Sequence, residues 1–381
     1  MKRVDLIFFD AGGGHRAAAT ALHQVINHQD RPWDVRMINL QELLDPLDIF
    51  RKITRIRLQD IYNLVLRKGW TLGSPQLMRA MHGGIWLYHR PTVRLLEKFW
   101  HEERPDLVVS VVPNFNRAMF ESLQRALPRV PLVTVLTDLA DYPPHFWIER
   151  QHQYLIGGTE RAVSQARKMG HETAHVFQTS GMILAPRFYE TPEIDRRAER
   201  QKLGLDPDLP TGLVLFGGHG SRKILEIARR LDQSGLKLQL ILICGKNQKL
   251  VDELRKMPHR IPIFVEGFTA EIPHYMRLAD FFIGKPGPGS ISEALALNLP
   301  VLVERNAWTL PQERYNADWV VEKQVGLVLR SFRYIVPAVA ELLQPENYRR
   351  FREKAAAQQN RAVFEIPDIL EKILKSCDAS H

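Results

Sequence analysis

Cysteine is nearly missing from this 381-residue chain, with Cys244 and Cys377 its only two. Two thiols cannot build a disulfide framework, so the fold must rest on its core, and both are read as free thiols of a reducing compartment. Long apolar runs are missing as well. No stretch approaches the ~20 residues a membrane-spanning helix needs. Met1-Lys2-Arg3 leads into a short apolar run that ends at Asp10, so no signal peptide is expected there. These absences predict a cytoplasmic protein, soluble or peripheral on the cytoplasmic face of a membrane. Internal repeats and low-complexity tracts are absent too. With 45% hydrophobic and 25% charged residues, the composition excludes disorder and collagen, and the length predicts two domains.

Positive charge is in excess. The 52 Lys and Arg outnumber the 43 Asp and Glu, a net of +9. That balance favours an anionic partner: nucleic acid, a membrane surface or a phosphorylated substrate. Nearly all of it sits in residues 51–100, where ten basic residues face only Asp60 and Glu97, a net of +8. Tyr62, Trp70, Trp86, Tyr88 and many aliphatics are interleaved with the cations. Such a mixture suits an interfacial contact, with apolar groups in the headgroup boundary and cations on anionic lipid. A helix with one buried face and one solvated basic face reads equally well. Nucleic acid is disfavoured, because no recognised binding motif accompanies the charge.

Apolar runs of strand type alternate with helical patterns. Strands are predicted at 4–9, 35–39, 107–112, 132–137 and 153–156, then again at 211–216, 237–244, 261–265, 280–284 and 300–303. Helices are predicted at 15–27 and 222–233, among others, so each half reads as βαβ units on a parallel sheet. The charged, proline-bearing stretch 186–202 is the expected hinge. From Phe332 onward only helices are expected, at 337–343, 348–359 and 366–374, with Pro337 in a first helical position.

Glycine clusters occupy the strand-to-helix turns. The first reads Asp10-Ala11-Gly12-Gly13-Gly14-His15-Arg16, and the second Gly217-Gly218-His219-Gly220-Ser221. Glycines there let backbone approach a ligand, while the following helix offers its N–H groups and positive dipole end to an anion. Neither is G-x-G-x-x-G and no acidic residue follows at ribose spacing, which argues against a nicotinamide cofactor. The strongest element is Gly284-Lys285-Pro286-Gly287-Pro288-Gly289-Ser290-Ile291-Ser292-Glu293-Ala294, following a strand and opening a helix at 291–297. Its loop amides can face a phosphate, and Glu293, expected in the first helical turn, can accept hydrogen bonds from ribose hydroxyls. Pro311-Gln312-Glu313-Arg314-Tyr315-Asn316 starts another helix with groups suited to sugar hydroxyls, although an ordinary polar helix start reads the same way.

Taken together, the Gly-Gly-Gly-His turn, Gly267-Phe268-Thr269, the Lys285–Glu293 block and the Gln312-Glu313 pair resemble glycosyltransferase family 28. Within it they are most similar to the branch of monogalactosyldiacylglycerol synthase and processive diacylglycerol glucosyltransferase, with MurG a more distant relative. The resemblance runs from about residue 4 to residue 330. It implies an α/β GT-B fold: two Rossmann-like parallel-sheet domains facing across a cleft. The first, at 1–190, would take the acceptor and the membrane, with a C-terminal helix at about 360–381 crossing back onto it; the second, at 191–359, would take the UDP-sugar.

By the same resemblance Gly14 belongs to the binding set, while Gly217, Gly218 and His219 would face the diphosphate or the sugar. Gly245 would line the nucleotide pocket, and Phe268 with Thr269 would meet the uracil. Gly287, Pro288, Gly289 and Ser290 would approach the α-phosphate, Glu293 the ribose, and Gln312 with Glu313 the hexose hydroxyls. His15 would deprotonate the acceptor hydroxyl, with Asp10 or Asp138 orienting or replacing it. Two motifs depart from the branch: the His145 and Trp147 of 142–147 stand at a shifted spacing, and Gly181-Met182-Ile183-Leu184 lacks the usual proline. The implied activity is inverting transfer of a hexose from a UDP-sugar to a lipid hydroxyl, diacylglycerol first among them, in glycolipid synthesis. UDP-glucose and UDP-galactose are the favoured donors, with UDP-glucuronic acid an option. Amides and helix dipoles can carry the leaving diphosphate, so no metal or other cofactor is expected to be obligatory. A soluble or polyprenyl-linked acceptor, or a non-catalytic nucleotide-sugar or membrane-binding module, are the alternatives.

Overall fold

Apolar strands buried on both faces dominate the computed structural model, which describes residues 1–10, 13–47 and 87–379. Residues 48–86, most of the basic stretch expected to meet a membrane, lie outside the described residues. No helix among the described residues is long and apolar enough to cross a membrane. The chain divides into two units, Met1–Pro186 with Leu310–Gln312 and Asn360–His381, and Arg187–Thr309 with Glu313–Gln359.

The first unit is built on β1 (Lys2–Phe8), β2 (Trp33–Asn39), β3 (Leu107–Ser110), β4 (Leu132–Val135), β5 (Tyr154–Gly157) and β6 (Val176–Gln178). They form one sheet in the order β2-β1-β3-β4-β5-β6, every pair parallel. Its central strands β3 and β4 are buried throughout, as a parallel sheet with helices on both faces requires. Helix α1 (Gly14–His28) follows β1, and α2 (Leu40–Leu44) follows β2. Helices α3 (His89–Glu103), α4 (Asn116–Ala126) and α5 (Glu160–Met169) complete the layers. Ile7, Val108 and Leu132 pack against Val93, Leu96 and Trp100 of α3 and against Met119 and Leu123 of α4. The indole of Trp100, fully buried, donates to Ser122 Oγ at 2.8 Å, so even this core satisfies its polar atom.

The second unit repeats the plan with β7 (Thr211–Leu215), β8 (Gln239–Ile243), β9 (Ile263–Glu266), β10 (Phe281–Gly284), β11 (Val301–Glu304) and β12 (Gly326–Leu329). The order is β12-β11-β10-β7-β8-β9, again all parallel. Around it lie α6 (Arg196–Lys202), α7 (Lys223–Asp232), α8 (Gln248–Lys256), α9 (Ile272–Leu278), α10 (Pro288–Ala296), α11 (Arg314–Lys323), α12 (Ile335–Leu342) and α13 (Pro345–Ala356). In α7, Ile224, Ile227, Ala228 and Leu231 recur at helical spacing and seal against Val214, Leu240 and Leu242.

The last helix, α14 (Ala362–Ala379), returns to the first unit and packs on α1. Arg31, at the turn after α1, holds it through Glu371 at 2.6 Å and through Asp368. At its head Asn360 Nδ2 donates to the Met182 carbonyl at 2.8 Å. A Cβ at Gly181 would stand 2.6 Å from Asn360 Cγ, so glycine is the residue that lets the two segments meet.

The strand runs read from the sequence form two parallel sheets, while β6 and β12 were not anticipated. Both are edge strands of three and four residues, too short to show a periodic signal. Pro337 stands third in α12, not first. That position still falls among the first-turn residues whose N–H groups have no partner within the helix, so the ring is accommodated.

Arg200 ties the second unit together from below the sheet. It is 4% exposed and donates to the carbonyls of Leu278 (2.8 Å) and Pro207 (3.0 Å) and to Asp280 (2.7 Å), the residue that leads into β10. Arg200→Ala leaves that carboxylate and those carbonyls short of donors, an expected loss of about 3–5 kcal/mol. The check is a thermal unfolding midpoint well below wild type, with Arg200→Lys recovering only part because it cannot reproduce the planar fork.

Candidate functional site

All strands of a parallel sheet end at one edge, so their loops converge there. In the first unit this edge holds His15. Gly13, at φ 81° before α1, makes the left-handed turn that places His15 second in the helix. His15 Nδ1 lies 3.2 Å from Thr137 Oγ1, on the loop after β4. Its ring centroid is 5.9 Å from that of Trp147. Burial pushes the imidazole down to about 4, with the backbone of Val111 opposing only in part. At neutral pH it is therefore an uncharged ring able to accept a proton.

Two aspartates shape the wall beside it. Asp138 accepts from the Trp147 indole at 2.8 Å. Asp141 accepts from the Trp147 amide at 2.7 Å and the His145 amide at 2.9 Å, and burial raises its carboxyl. The 141–147 turn is thus folded around carboxylates, with His145 at φ 66°. Asp138 is linked to the His15 edge through Trp147, whose indole it accepts from and whose ring lies beside the imidazole. Asp10 instead pairs with Arg16 at 2.7 Å, on the exposed side of the turn. Gly14, the first residue of α1, has open space where a Cβ would point.

In the second unit the loops after β7, β8 and β9 interlock backbone to backbone. Gly217, Gly220 and Gly245 are left-handed, at φ 74°, 66° and 56°. A Cβ at Gly245 would run into the Gly218 carbonyl, and one at Gly220 into that of Cys244. Lys246 N donates to the Gly218 carbonyl at 2.9 Å. Phe268 is 65% exposed, with Lys246 Nζ 5.0 Å over its ring, which leaves an open aromatic face at this edge. Thr269 Oγ1 accepts from the Glu271 amide at 3.0 Å and so shapes its own loop, while His219 is exposed.

After β10, Gly287 caps α10 and Pro288 opens it. Asn316 Nδ2 holds the loop by donating to the Pro286 carbonyl at 2.9 Å. With Gly289 surrounded by open space and Ser290 next to it, the helix start can receive an anion. Starting at Pro288, the helix begins three residues earlier than the sequence pattern predicted, so Glu293 stands beyond the first turn. Proline's fixed φ suits that earlier start. Burial pushes the Glu293 carboxyl up to about 7, and Arg187 opposes this weakly. Gln312 and Glu313 share the short turn Pro311–Glu313. Glu313, 7% exposed, accepts from Lys285 Nζ at 2.6 Å.

Sequence reasoning assigned no role to Thr137, Asp141, Trp147 or Lys285. Trp147 lies in the motif whose spacing looked shifted, and its distance from His15 along the chain hid the contact. Lys285 stood inside a motif read for its glycines, and its partner is 28 residues downstream.

Residues 15–181 match the family model for monogalactosyldiacylglycerol (MGDG) synthase, and residues 213–373 match that for the glycosyltransferase family 28 C-terminal domain. Among curated proteins, the chloroplastic monogalactosyldiacylglycerol synthase of Spinacia oleracea is 28% identical, with 99% of this chain and 72% of that protein covered. Monogalactosyldiacylglycerol synthase 1 of Arabidopsis thaliana is also 28% identical, covering 98% of this chain and 70% of its own. Among solved structures, MurG of Acinetobacter baumannii superposes with a TM-score of 0.63 at 14% identity, covering 98% of this chain and 100% of that one. Anabaena Alr3699/HepE, solved in complex with UDP, gives 0.57 at 17% identity, covering 99% and 100%. At those identities the structures speak for the fold, and the fold is GT-B.

Glu293 yields a test that needs no ligand. The folded chain keeps a proton on it up to about 7, whereas an ordinary glutamate releases it near 4.5. Folding therefore becomes less favourable as pH rises from about 5 to 8. Glu293→Gln removes that cost. Its stability should match wild type at pH 5 and exceed it by about 1–3 kcal/mol at pH 8, read by denaturant unfolding. An equal difference at both pH values would contradict the buried-carboxyl account.

Proposed function

Because this chain belongs to glycosyltransferase family 28 and is thus a glycosyltransferase, we propose that it moves a hexose from a UDP-sugar to the free hydroxyl of diacylglycerol, inverting the anomeric carbon. The observation that carries the reading is His15, a neutral imidazole fixed by Thr137 at the carboxyl edge of its sheet. It takes the proton of the acceptor hydroxyl as that oxygen forms its bond to the anomeric carbon. The bond from that carbon to the diphosphate oxygen breaks on the opposite face, and UDP leaves with the electron pair. A ring held near 4 is a modest base.

The donor belongs on the second unit. The amides around Gly287–Ser290 and the N-terminal end of α10 suit the diphosphate, Glu293 the ribose hydroxyls, and Phe268 the base. Lys285 holds the Glu313 carboxylate in one orientation, which fits Glu313 for hexose hydroxyls. Curated relatives named as monogalactosyldiacylglycerol synthases favour galactose as the sugar and diacylglycerol as the acceptor. A diacylglycerol acceptor implies action at a membrane surface, where we place the enzyme as a peripheral protein on the cytoplasmic face.

The decisive measurement is UDP release with a panel of UDP-sugars, with and without vesicles containing diacylglycerol and anionic lipid. One sugar should turn over, and only with the lipid present. Release indifferent to vesicles would move the reading to a soluble acceptor. In that assay His15→Ala should lose about 10²–10⁴-fold in turnover while UDP affinity stays near wild type. Gly245→Ala should do the reverse of this split, weakening UDP binding at least about tenfold, because its methyl must displace the Gly218 carbonyl. Near-wild-type turnover in His15→Ala would remove it as the base.

A further inference from the structure

The loops after β11 and β12 carry a surface that the donor site leaves unused. Trp308 is 50% exposed and Tyr334 60% exposed, two of the few large hydrophobic side chains among the described residues that face solvent. On the same two loops Arg330 and Arg333 are exposed, and neither has a carboxylate partner among the described residues. Arg305 also stands here, paired with Asp318 at 3.2 Å. The two loops are one rigid piece. Asn306 Nδ2 donates to the Arg330 carbonyl at 3.2 Å, and Arg305 N to the Leu329 carbonyl at 2.8 Å. Beneath them the buried Glu304 accepts from Phe332 N at 3.1 Å and pairs with Lys223, whose Nζ lies 5.4 Å over the Phe332 ring.

Exposed aromatic rings next to guanidinium groups without counter-ions are costly in water and favourable at a bilayer surface. There the rings enter the headgroup layer and the cations meet lipid phosphate. The topology adds a direction. Every strand of this sheet is parallel, so the loops after β11 and β12 open at the same edge as the donor loops after β7, β8 and β10. A protein resting on this patch turns that edge toward the membrane. We infer that Trp308, Tyr334, Arg330 and Arg333 form a docking surface for an anionic lipid bilayer on the second unit. It is separate from the basic stretch 51–100, and it rests on the lipid-acceptor reading above.

The test is co-sedimentation of the full chain with vesicles of phosphatidylcholine, with and without phosphatidylglycerol, in the absence of any substrate. Arg330→Ala/Arg333→Ala should bind the phosphatidylglycerol vesicles about thirtyfold more weakly than wild type, with added salt narrowing the difference. Trp308→Ala/Tyr334→Ala should weaken binding to both vesicle types. Both variants should keep the wild-type melting temperature and UDP affinity, since all four side chains are exposed. Wild-type vesicle affinity in the arginine variant overturns the inference, as does an equal loss on vesicles without phosphatidylglycerol. Failure of the wild-type chain to transfer sugar to detergent-dispersed diacylglycerol would instead overturn the functional reading, because vesicle binding is read without turnover.

Discussion

Parallel pairing of every strand is the constraint from which the rest follows. A parallel sheet must be covered on both faces, so its central strands are apolar and leave little room for chemistry of their own. Polar function is then confined to the edge where all strands end and the following helices begin. There, backbone N–H groups without helical partners and the positive dipole ends point outward together. His15, Thr137 and Asp138 collect at such an edge in one unit. The loops at Gly217, Gly245 and Gly287 do so in the other. No separate scaffold for the site is needed.

At these edges the protein works by close approach and by withholding water. The left-handed Gly220 and Gly245 keep side chains out of positions where the carbonyl oxygens of Cys244 and Gly218 already stand, leaving backbone at the surface there. Such a surface suits a phosphate, which asks for several donors at short range. Withheld water acts on the titrating groups in opposite chemical senses with one outcome. It lowers the proton affinity of His15 and raises that of Glu293, and in each case the uncharged form gains. Each unit thus holds at its own edge a titrating group already partly stripped of solvent.

Much of this was legible in the chain. The long apolar runs, the glycine turns after them and the Lys285–Glu293 block implied two parallel-sheet units and a GT-B fold, and the strand order agrees. The sequence hid what depends on partners far apart. Thr137 meets His15 from 122 residues away, and Lys285 reaches Glu313 across a helix, a strand and a turn. Neither pairing leaves a periodic trace. Edge strands β6 and β12 escaped because a strand held on one side only can be very short. Charge counting pointed to residues 51–100. It could not show that Arg330 and Arg333, separated by ordinary loop residues, share a surface with Trp308.

The first unit is discontinuous in the chain, and that has a consequence for its birth. Its final layer, α14, buries Ala362, Val363, Ile366, Leu370 and Ile373, yet it is translated only after the whole of the second unit. While the ribosome is still making residues 187–359, the nascent first unit has a sheet and α1 but no covering helix on that side. Helix α1 then lacks the neighbour that later packs on it. The second unit, contiguous apart from a three-residue excursion, has all its strands and helices by residue 356. Synthesis therefore runs against the numbering: the domain encoded second is the one able to finish first.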